Sequence, residues 1–124
     1  LIDNEIWKVL DKVSLSEFIK SLPNGLDTQL DSRTVPLSGG QKQRLHIARE
    51  LFFKSNVLFF DEPTSALDRQ NVKRFSSLLR ELRGASTCII VTHDIHVAKH
   101  ADSIFSLEGG ILQHLESLET KHDV

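Results

Sequence analysis

The sequence predicts an α/β fold in which a helical first part precedes part of a parallel sheet. Two short apolar runs, residues 57–60 and 87–92, have the length and the β-branched or aromatic content of strands. Between them, residues 69–83 place apolar side chains at helical spacing. This strand–helix–strand alternation is typical of a parallel sheet. Because the apolar runs are continuous, both strands are predicted to be buried on both faces.

The beginning of the chain is predicted to contain two short helices. Asp3 is placed to cap the first helix, and Ser14 with Glu17 has the spacing of a capping box for the second, which ends near residue 21. A Pro-Asn-Gly turn follows, and residues 26–36 are predicted to be a loop.

A longer helix is predicted to begin at Ser38. Apolar side chains recur there at helical spacing, at Leu45, Ala48, Leu51 and Phe52. Gly84 is placed to end the later helix that joins the two buried strands. Residues 104–107 and 111–112 flank a Glu-Gly-Gly turn, which predicts a hairpin.

These elements divide the chain into three predicted parts. Residues 1–55 form a helical lobe, residues 56–114 form part of an α/β core, and residues 115–124 form a polar tail. The chain begins with Leu1 and contains no methionine, which is consistent either with a piece cut from a longer product or with processing of the chain.

Composition excludes some classes of function. The net charge of −2 gives no electrostatic basis for binding nucleic acid, which calls for a basic face. The apolar runs are too short to cross a bilayer. Cys88 is the only cysteine and lies in an apolar run, which indicates a buried strand residue in a reducing compartment.

The sequence Ser38-Gly39-Gly40-Gln41 has the chemistry of an anion site. A hydroxyl and unobstructed amides at the positive end of a helix favour a bound phosphate. For a bare Ser-Gly-Gly, a glycine-rich loop before a helix is the simpler interpretation. The residues that surround it decide between the two.

Asp61 and Glu62 follow the first buried strand directly. Carboxylates at the carboxyl end of a parallel strand lie where α/β sheets bind ligands. Since side chains alternate along a strand, adjacent carboxylates there can have different roles. The alternative is a strand that ends in acidic residues before a proline turn.

Two longer stretches resemble the signature sequence and Walker B strand of ATP-binding cassette (ABC) ATPases. Residues 37–44 read Leu-Ser-Gly-Gly-Gln-Lys-Gln-Arg, and residues 57–68 read Val-Leu-Phe-Phe-Asp-Glu-Pro-Thr-Ser-Ala-Leu-Asp. The resemblance implies a P-loop NTPase fold of the ABC type, with ATP and Mg²⁺ as its ligands. It covers nearly the whole chain but only about the second half of a cassette.

The resemblance also implies roles for particular residues. Asp61 would organise Mg²⁺ through water, Glu62 would be the general base, and His93 would be the switch histidine that bridges Glu62 and the γ-phosphate. Residues 38–41 would contact the ATP held by an opposite cassette, and Asp68 would belong to the D-loop at the same dimer interface.

His96 and His100 offer a competing metal site because they are four residues apart in a predicted helix. We interpret them as residues of a solvated helical face, since no cysteine or carboxylate joins them at matching spacing apart from Asp94.

Residues 22–34 are similar to the stretch that contacts the membrane domain in exporter-type cassettes. Family members usually have Gly-Glu-Arg-Gly where this chain has Asp-Ser-Arg-Thr, so that only Arg33 matches.

The phosphate-binding loop of such an ATPase does not occur in the sequence, which contains no Gly-Lys pair. The Walker A loop is therefore expected to be supplied elsewhere, and the isolated chain is expected to be inactive. In the family, the strand of that loop lies between the strand at 87–92 and the strand at 103–107. We therefore predict unpaired sheet edges and a marginally stable or aggregating 124-residue chain.

The leading functional hypothesis is a segment of an ABC exporter ATPase at the cytoplasmic face of the cell membrane. Its partners would be a transmembrane domain and a second nucleotide-binding domain. One alternative is the tail of a DNA-maintenance ATPase of the SMC-like kind, disfavoured by the acidic balance and the lack of sustained heptads. The other is a non-catalytic remnant or interaction module.

Overall fold

The computed structural model describes residues 2–31, 33, 35–116 and 118. The helices are α1 (Ile2–Lys12), α2 (Ser16–Ser21), a 3₁₀ turn (Gly25–Asp27), α3 (Gly39–Phe52), α4 (Arg69–Leu82) and α5 (Ile95–Ala98). The strands are β1 (Val57–Asp61), β2 (Thr87–Val91), β3 (Ile104–Glu108) and β4 (Ile111–Leu115). The 3₁₀ turn overlaps the start of the predicted loop at residues 26–36.

The described strands form two separate two-stranded sheets. Strands β1 and β2 are parallel, with a register that runs from the pair Val57 and Thr87 to the pair Asp61 and Val91. Strands β3 and β4 form the antiparallel hairpin. The predicted strand–helix–strand unit and the hairpin are therefore confirmed.

The start of α2 differs from the prediction. Ser14 has a φ of +57°, and its N–H donates to the carbonyl of Asp11 while the N–H of Leu15 donates to the carbonyl of Leu10. These two bonds are a Schellman motif that ends α1. The predicted capping box is wrong because Ser14 ends one helix and Leu15, whose side chain is apolar, stands at the N-cap of the next. Asp3 lies inside the first turn of α1 and not at its cap.

The prediction that both strands are buried on both faces is also wrong. Leu58 and Phe60 of β1 are buried, whereas Val57 and Phe59 on the other face are 55% and 61% exposed. In β2, Ile89 and Val91 are exposed in the same way. The buried face lies against α4, where the rings of Phe60 and Phe75 meet edge to face at 5.4 Å. Within the described residues, the opposite face of this sheet stays open.

One apolar core runs through the molecule. Its buried members are Leu10, Val13, Leu15, Ile19, Ile47, Ala48, Leu51, Leu58, Phe60, Phe75, Leu78 and Val97. This core crosses the predicted boundary between residues 55 and 56, and an ion pair of 2.9 Å joins Lys12 to Glu81 across the same boundary. The helical part therefore packs directly on the strand–helix–strand unit, and its long helix α3 lies beside the end of β1.

Cys88 lies in β2, as predicted, and packs against the apolar core. Burial raises the pKa of its thiol. Because the thiolate is the reactive form, we expect iodoacetamide to alkylate Cys88 more slowly in the folded chain than in urea at pH 8. Equal alkylation rates, measured by mass spectrometry, would contradict this environment.

The end of the chain differs in part from the prediction. Most of the predicted tail at 115–124 lies outside the described residues, and Leu115 itself is the last residue of β4. Helix α5 ends at Ala98, so His100 lies beyond it and not on the same helix as His96.

Of the helices that the structure describes, none has the length and apolar character that a bilayer crossing requires.

Candidate functional site at the ends of the parallel strands

Ser38 caps α3, as the sequence predicts. Its hydroxyl accepts a hydrogen bond from the Gln41 N–H at 3.1 Å, and the Gln41 side-chain oxygen accepts one from the Ser38 N–H at 2.9 Å. Gly39 and Gly40 form the first helical turn, whose amides lack acceptors within the helix. The capping box therefore fixes the helix end at which an anion is predicted, and it engages the side chains of both Ser38 and Gln41.

Gly40 approaches the turn that follows β1 very closely. A Cβ on Gly40 would lie 2.9 Å from the carbonyl oxygen of Ala66, whereas a Cβ on Gly39 would lie 3.4 Å from the Ala66 side chain. The absence of a side chain at position 40 is thus required by packing within the chain, independently of any nucleotide.

This packing predicts different effects for two matched substitutions. Gly40→Ala should lower the free energy of unfolding by about 1 kcal/mol or more, because overpacking of this kind costs about 1–3 kcal/mol and exceeds the gain in helix propensity. Gly39→Ala, one residue earlier, should be neutral or stabilising. Thermal unfolding of the two variants side by side tests this, and equal melting temperatures would contradict the contact.

The turn after β1 is held by strand β2. The Glu62 N–H donates to the carbonyl of Val91 at 2.8 Å, which extends the parallel pairing by one residue. Glu62 then adopts a φ of +46°, a left-handed conformation that is uncommon outside glycine. Its carbonyl accepts the N–H of Ser65, and the N–H of Leu67 donates to the carbonyl of Thr64. The chain therefore reverses sharply at Glu62.

The reversal brings Glu62 to His93. The Glu62 Oε1 and the His93 Nε2 are 3.5 Å apart. The Glu62 side chain is 34% exposed and that of His93 is 99% exposed. The two residues come from the ends of paired strands, which explains how positions 31 residues apart in sequence meet. A partly exposed carboxylate beside a fully exposed imidazole can orient water and bind a phosphate at the same edge.

Thr64 and Asp94, for which the sequence predicts no role, stabilise this edge of the sheet. The buried Thr64 hydroxyl donates to the Asp94 carboxylate at 3.3 Å, and the other Asp94 oxygen accepts the N–H of His96 at 2.8 Å. Asp94 therefore ties the turn after β1 to the loop that carries His93. The only sequence signal for this role is the position of Asp94 at the predicted start of a helix.

Gln43 of α3 also reaches this turn. Its side-chain amide bonds Glu62, Ser65 and Ala66. Gln43 belongs to the signature stretch, but its hydrogen bonds to residues distant in sequence could not be predicted from the local pattern.

The remaining predicted site residues lie around this cluster. Asp61 ends β1 with an exposed side chain, and Asp68 caps α4 by accepting the N–H of Asn71 at 2.8 Å. Arg33 is described, and its N–H donates to Asp31 at 2.7 Å, whereas residues 32 and 34 of the predicted membrane-domain stretch lie outside the described residues. Across the part of the chain that the structure describes, no three His, Cys, Asp or Glu side chains gather as a metal site would require.

Comparison with known proteins identifies the family of this chain. Residues 2–65, about half of the chain, match the family model described as ABC transporter. The chain belongs to the ABC transporter family. An ABC-type α/β cassette, represented here in part, is thereby confirmed as the fold.

Relatives of this family resemble the chain well beyond the matched residues. The chain is 41% identical over 109 residues to ATP-binding cassette sub-family B member 5 of Mus musculus, covering 88% of this chain and 9% of that protein. It is 40% identical over 119 residues to the ATP-dependent lipid A-core flippase of Photorhabdus laumondii subsp. laumondii, covering 93% of this chain and 20% of that protein.

The solved structure of a bacterial Atm1-family ABC exporter with ATP bound has the same fold. It superposes with a TM-score of 0.76 at 34% identity, over 86% of this chain and 19% of the exporter chain. This chain therefore spans a fifth or less of the length of each of these three proteins.

Proposed function

We propose that this chain is the carboxyl-terminal part of an ATP-hydrolysing cassette in an ABC exporter. The single observation that carries the proposal is the meeting of Glu62 and His93, 3.5 Å apart, at the ends of two paired parallel strands. The turn that holds Glu62 is itself in contact with the signature helix through Gly40 and Ala66. Family membership and relatives that include an exporter and a flippase support the exporter type.

In this proposal the side chains of Glu62 and His93 have different roles in phosphoryl transfer to water. Glu62 accepts the proton of the attacking water, which its partly exposed carboxylate can reach from solvent. His93 holds its imidazole beside Glu62, where an exposed N–H can donate to the γ-phosphate. Positioning of this kind accounts for most of the catalysis in phosphoryl transfer.

Asp61 would hold Mg²⁺ through water. A single exposed carboxylate suits this ion, since Mg²⁺ keeps several waters and is bound by one or two carboxylates together with substrate phosphates. Bound Mg²⁺ would neutralise charge on the phosphates.

Residues 38–41 would serve the nucleotide of a second cassette, and Asp68 would lie at the same interface. The capped helix end offers amides of Gly39 and Gly40 to an anion. Since Ser38 and Gln41 bond each other in this structure, contact with a phosphate would require the Ser38 hydroxyl to donate outward while it still accepts the Gln41 N–H. The other partner would be a transmembrane domain, which places the chain at the cytoplasmic face of the cell membrane.

An experiment that mixes two inactive variants tests whether the chain takes part in ATP hydrolysis and whether each active site is built from two cassettes. Ser38→Arg and Glu62→Gln variants of the native-length protein should each be inactive in hydrolysing ATP. In mixed dimers, both defects fall in the same composite site and leave the other site intact. We therefore expect mixing to restore single-turnover hydrolysis at one site. No restoration in purified mixed dimers would contradict action between cassettes.

The same proteins separate the remaining alternatives. A non-catalytic remnant would show no hydrolysis in the unmutated protein, and an SMC-like ATPase would show hydrolysis stimulated by DNA. The net charge of −2 favours neither DNA binding nor an SMC-like role.

A further inference from the structure

The side chain of Gln43 has every polar group engaged with one turn. Its Nε2 donates to the carbonyl oxygen of Glu62 at 3.0 Å and to the Ser65 hydroxyl at 2.6 Å. Its Oε1 accepts the N–H of Ala66 at 2.9 Å. One side chain on α3 thus binds three residues that lie 19 to 23 positions later in the sequence.

The turn needs such support because Glu62 is strained. A left-handed φ of +46° is unfavourable for a residue with a Cβ and persists where the surroundings over-determine it. The Val91 carbonyl holds the amide side of Glu62. The Gln43 amide holds the carbonyl side, and the turn's own bond from Ser65 to that carbonyl is longer, at 3.2 Å.

We infer that Gln43 is a positioning residue for Glu62. It acts by fixing the left-handed turn at Glu62–Ala66, which keeps the Glu62 carboxylate beside His93. The inference rests on the proposed function for its catalytic consequence, but its structural part stands on the three hydrogen bonds alone. Gln43 also couples the turn to the signature helix, because Ala66, which it bonds, is the residue that Gly40 touches.

Only an amide side chain of this length satisfies the arrangement. Glutamine provides two donors and an acceptor on one planar group. A glutamate would keep the acceptor for Ala66 but would lose both donated bonds and would place a negative charge against the Glu62 carbonyl. An alanine would lose all three bonds. These two substitutions therefore separate the donated bonds from the accepted one.

The test compares Gln43→Ala and Gln43→Glu with Gln70→Glu, a matched change at an exposed position of α4. All are made in the native-length protein, and steady-state ATP hydrolysis is measured together with amide hydrogen exchange at Ala66. Since misplacement of a catalytic group by about 1 Å can cost about 100-fold, we expect Gln43→Ala and Gln43→Glu to lower kcat by about 10- to 100-fold. KM for ATP should change less than about threefold, because the Gln43 side chain bonds the turn and not residues 38–41, which are proposed to bind the nucleotide.

Hydrogen exchange provides the independent readout. Exchange at Ala66 should rise at least about tenfold in Gln43→Ala, should stay near the unmutated rate in Gln43→Glu, and should not change in Gln70→Glu. Unchanged exchange at Ala66 in Gln43→Ala would overturn the inference. Faster exchange with an unchanged kcat would overturn the positioning role, and a protein that lacks hydrolysis before mutation would overturn the proposed function while the exchange still decides whether Gln43 holds the turn.

Discussion

Glu62→Gln should abolish ATP turnover by the native-length protein and trap it as an ATP-bound dimer. The substitution keeps the size of the side chain and removes its basicity. A general base contributes about 10²- to 10⁴-fold to the rate, so we expect a loss of kcat in that range with ATP binding retained. Hydrolysis is measured by phosphate release, and the dimer by size-exclusion chromatography with ATP.

The matched control is Glu81→Gln, at an exposed position of α4 where Glu81 pairs with Lys12. An exposed ion pair is worth about 0–1 kcal/mol, so this variant should hydrolyse ATP at the unmutated rate. If Glu62→Gln kept normal turnover, the assignment of Glu62 as the base would be wrong. If both variants lost activity equally, the effect would lie in folding and not in chemistry.

The 124-residue chain by itself should self-associate at micromolar concentrations. The open face of the β1–β2 sheet presents Val57, Phe59, Ile89 and Val91, each 44–61% exposed. Contiguous apolar surface of this kind promotes association, and strands that have a neighbour on one edge only can recruit another chain. Sedimentation velocity across a concentration series measures the expected association.

Phe59→Lys should markedly reduce that association, because it places a charge in the middle of the open face. Phe53→Lys is the matched control, since Phe53 is similarly exposed, at 67% against 61% for Phe59, but lies at the end of α3 and not on the sheet. A chain that stays monomeric and unfolds cooperatively without any substitution would contradict the prediction. Equal effects of the two lysines would show that overall charge, and not this face, controls association.

The fold could be predicted wherever the signal is local. The cap at Ser38 and the glycine after α4, which has a φ of +82°, follow from residue types that suit those backbone positions. The apolar runs correctly predicted β1 and β2. Their continuity nevertheless predicted burial on both faces, which is wrong. Apolar side chains show that a face could pack against a neighbour, but they do not show that a neighbour is present.

The errors and omissions have physical causes of the same kind. Ser14 and Glu17 have the spacing of a capping box, but the N–H groups of residues 14 and 15 donate to carbonyls of the preceding helix, α1. Spacing alone does not distinguish these two arrangements. The contact between Glu62 and His93 was implied by resemblance and not by local pattern. The bonds of Gln43 were missed because a glutamine on a helix carries no sequence sign of a partner about 20 residues away.

The central claim, that this chain works as one piece of a complete cassette, is tested most directly by the mass of the native gene product in its source cells. The chain spans 9–20% of the relatives compared above. We therefore expect a product several times larger than 14.0 kDa on an immunoblot and by intact mass. A native product near 14 kDa would contradict it.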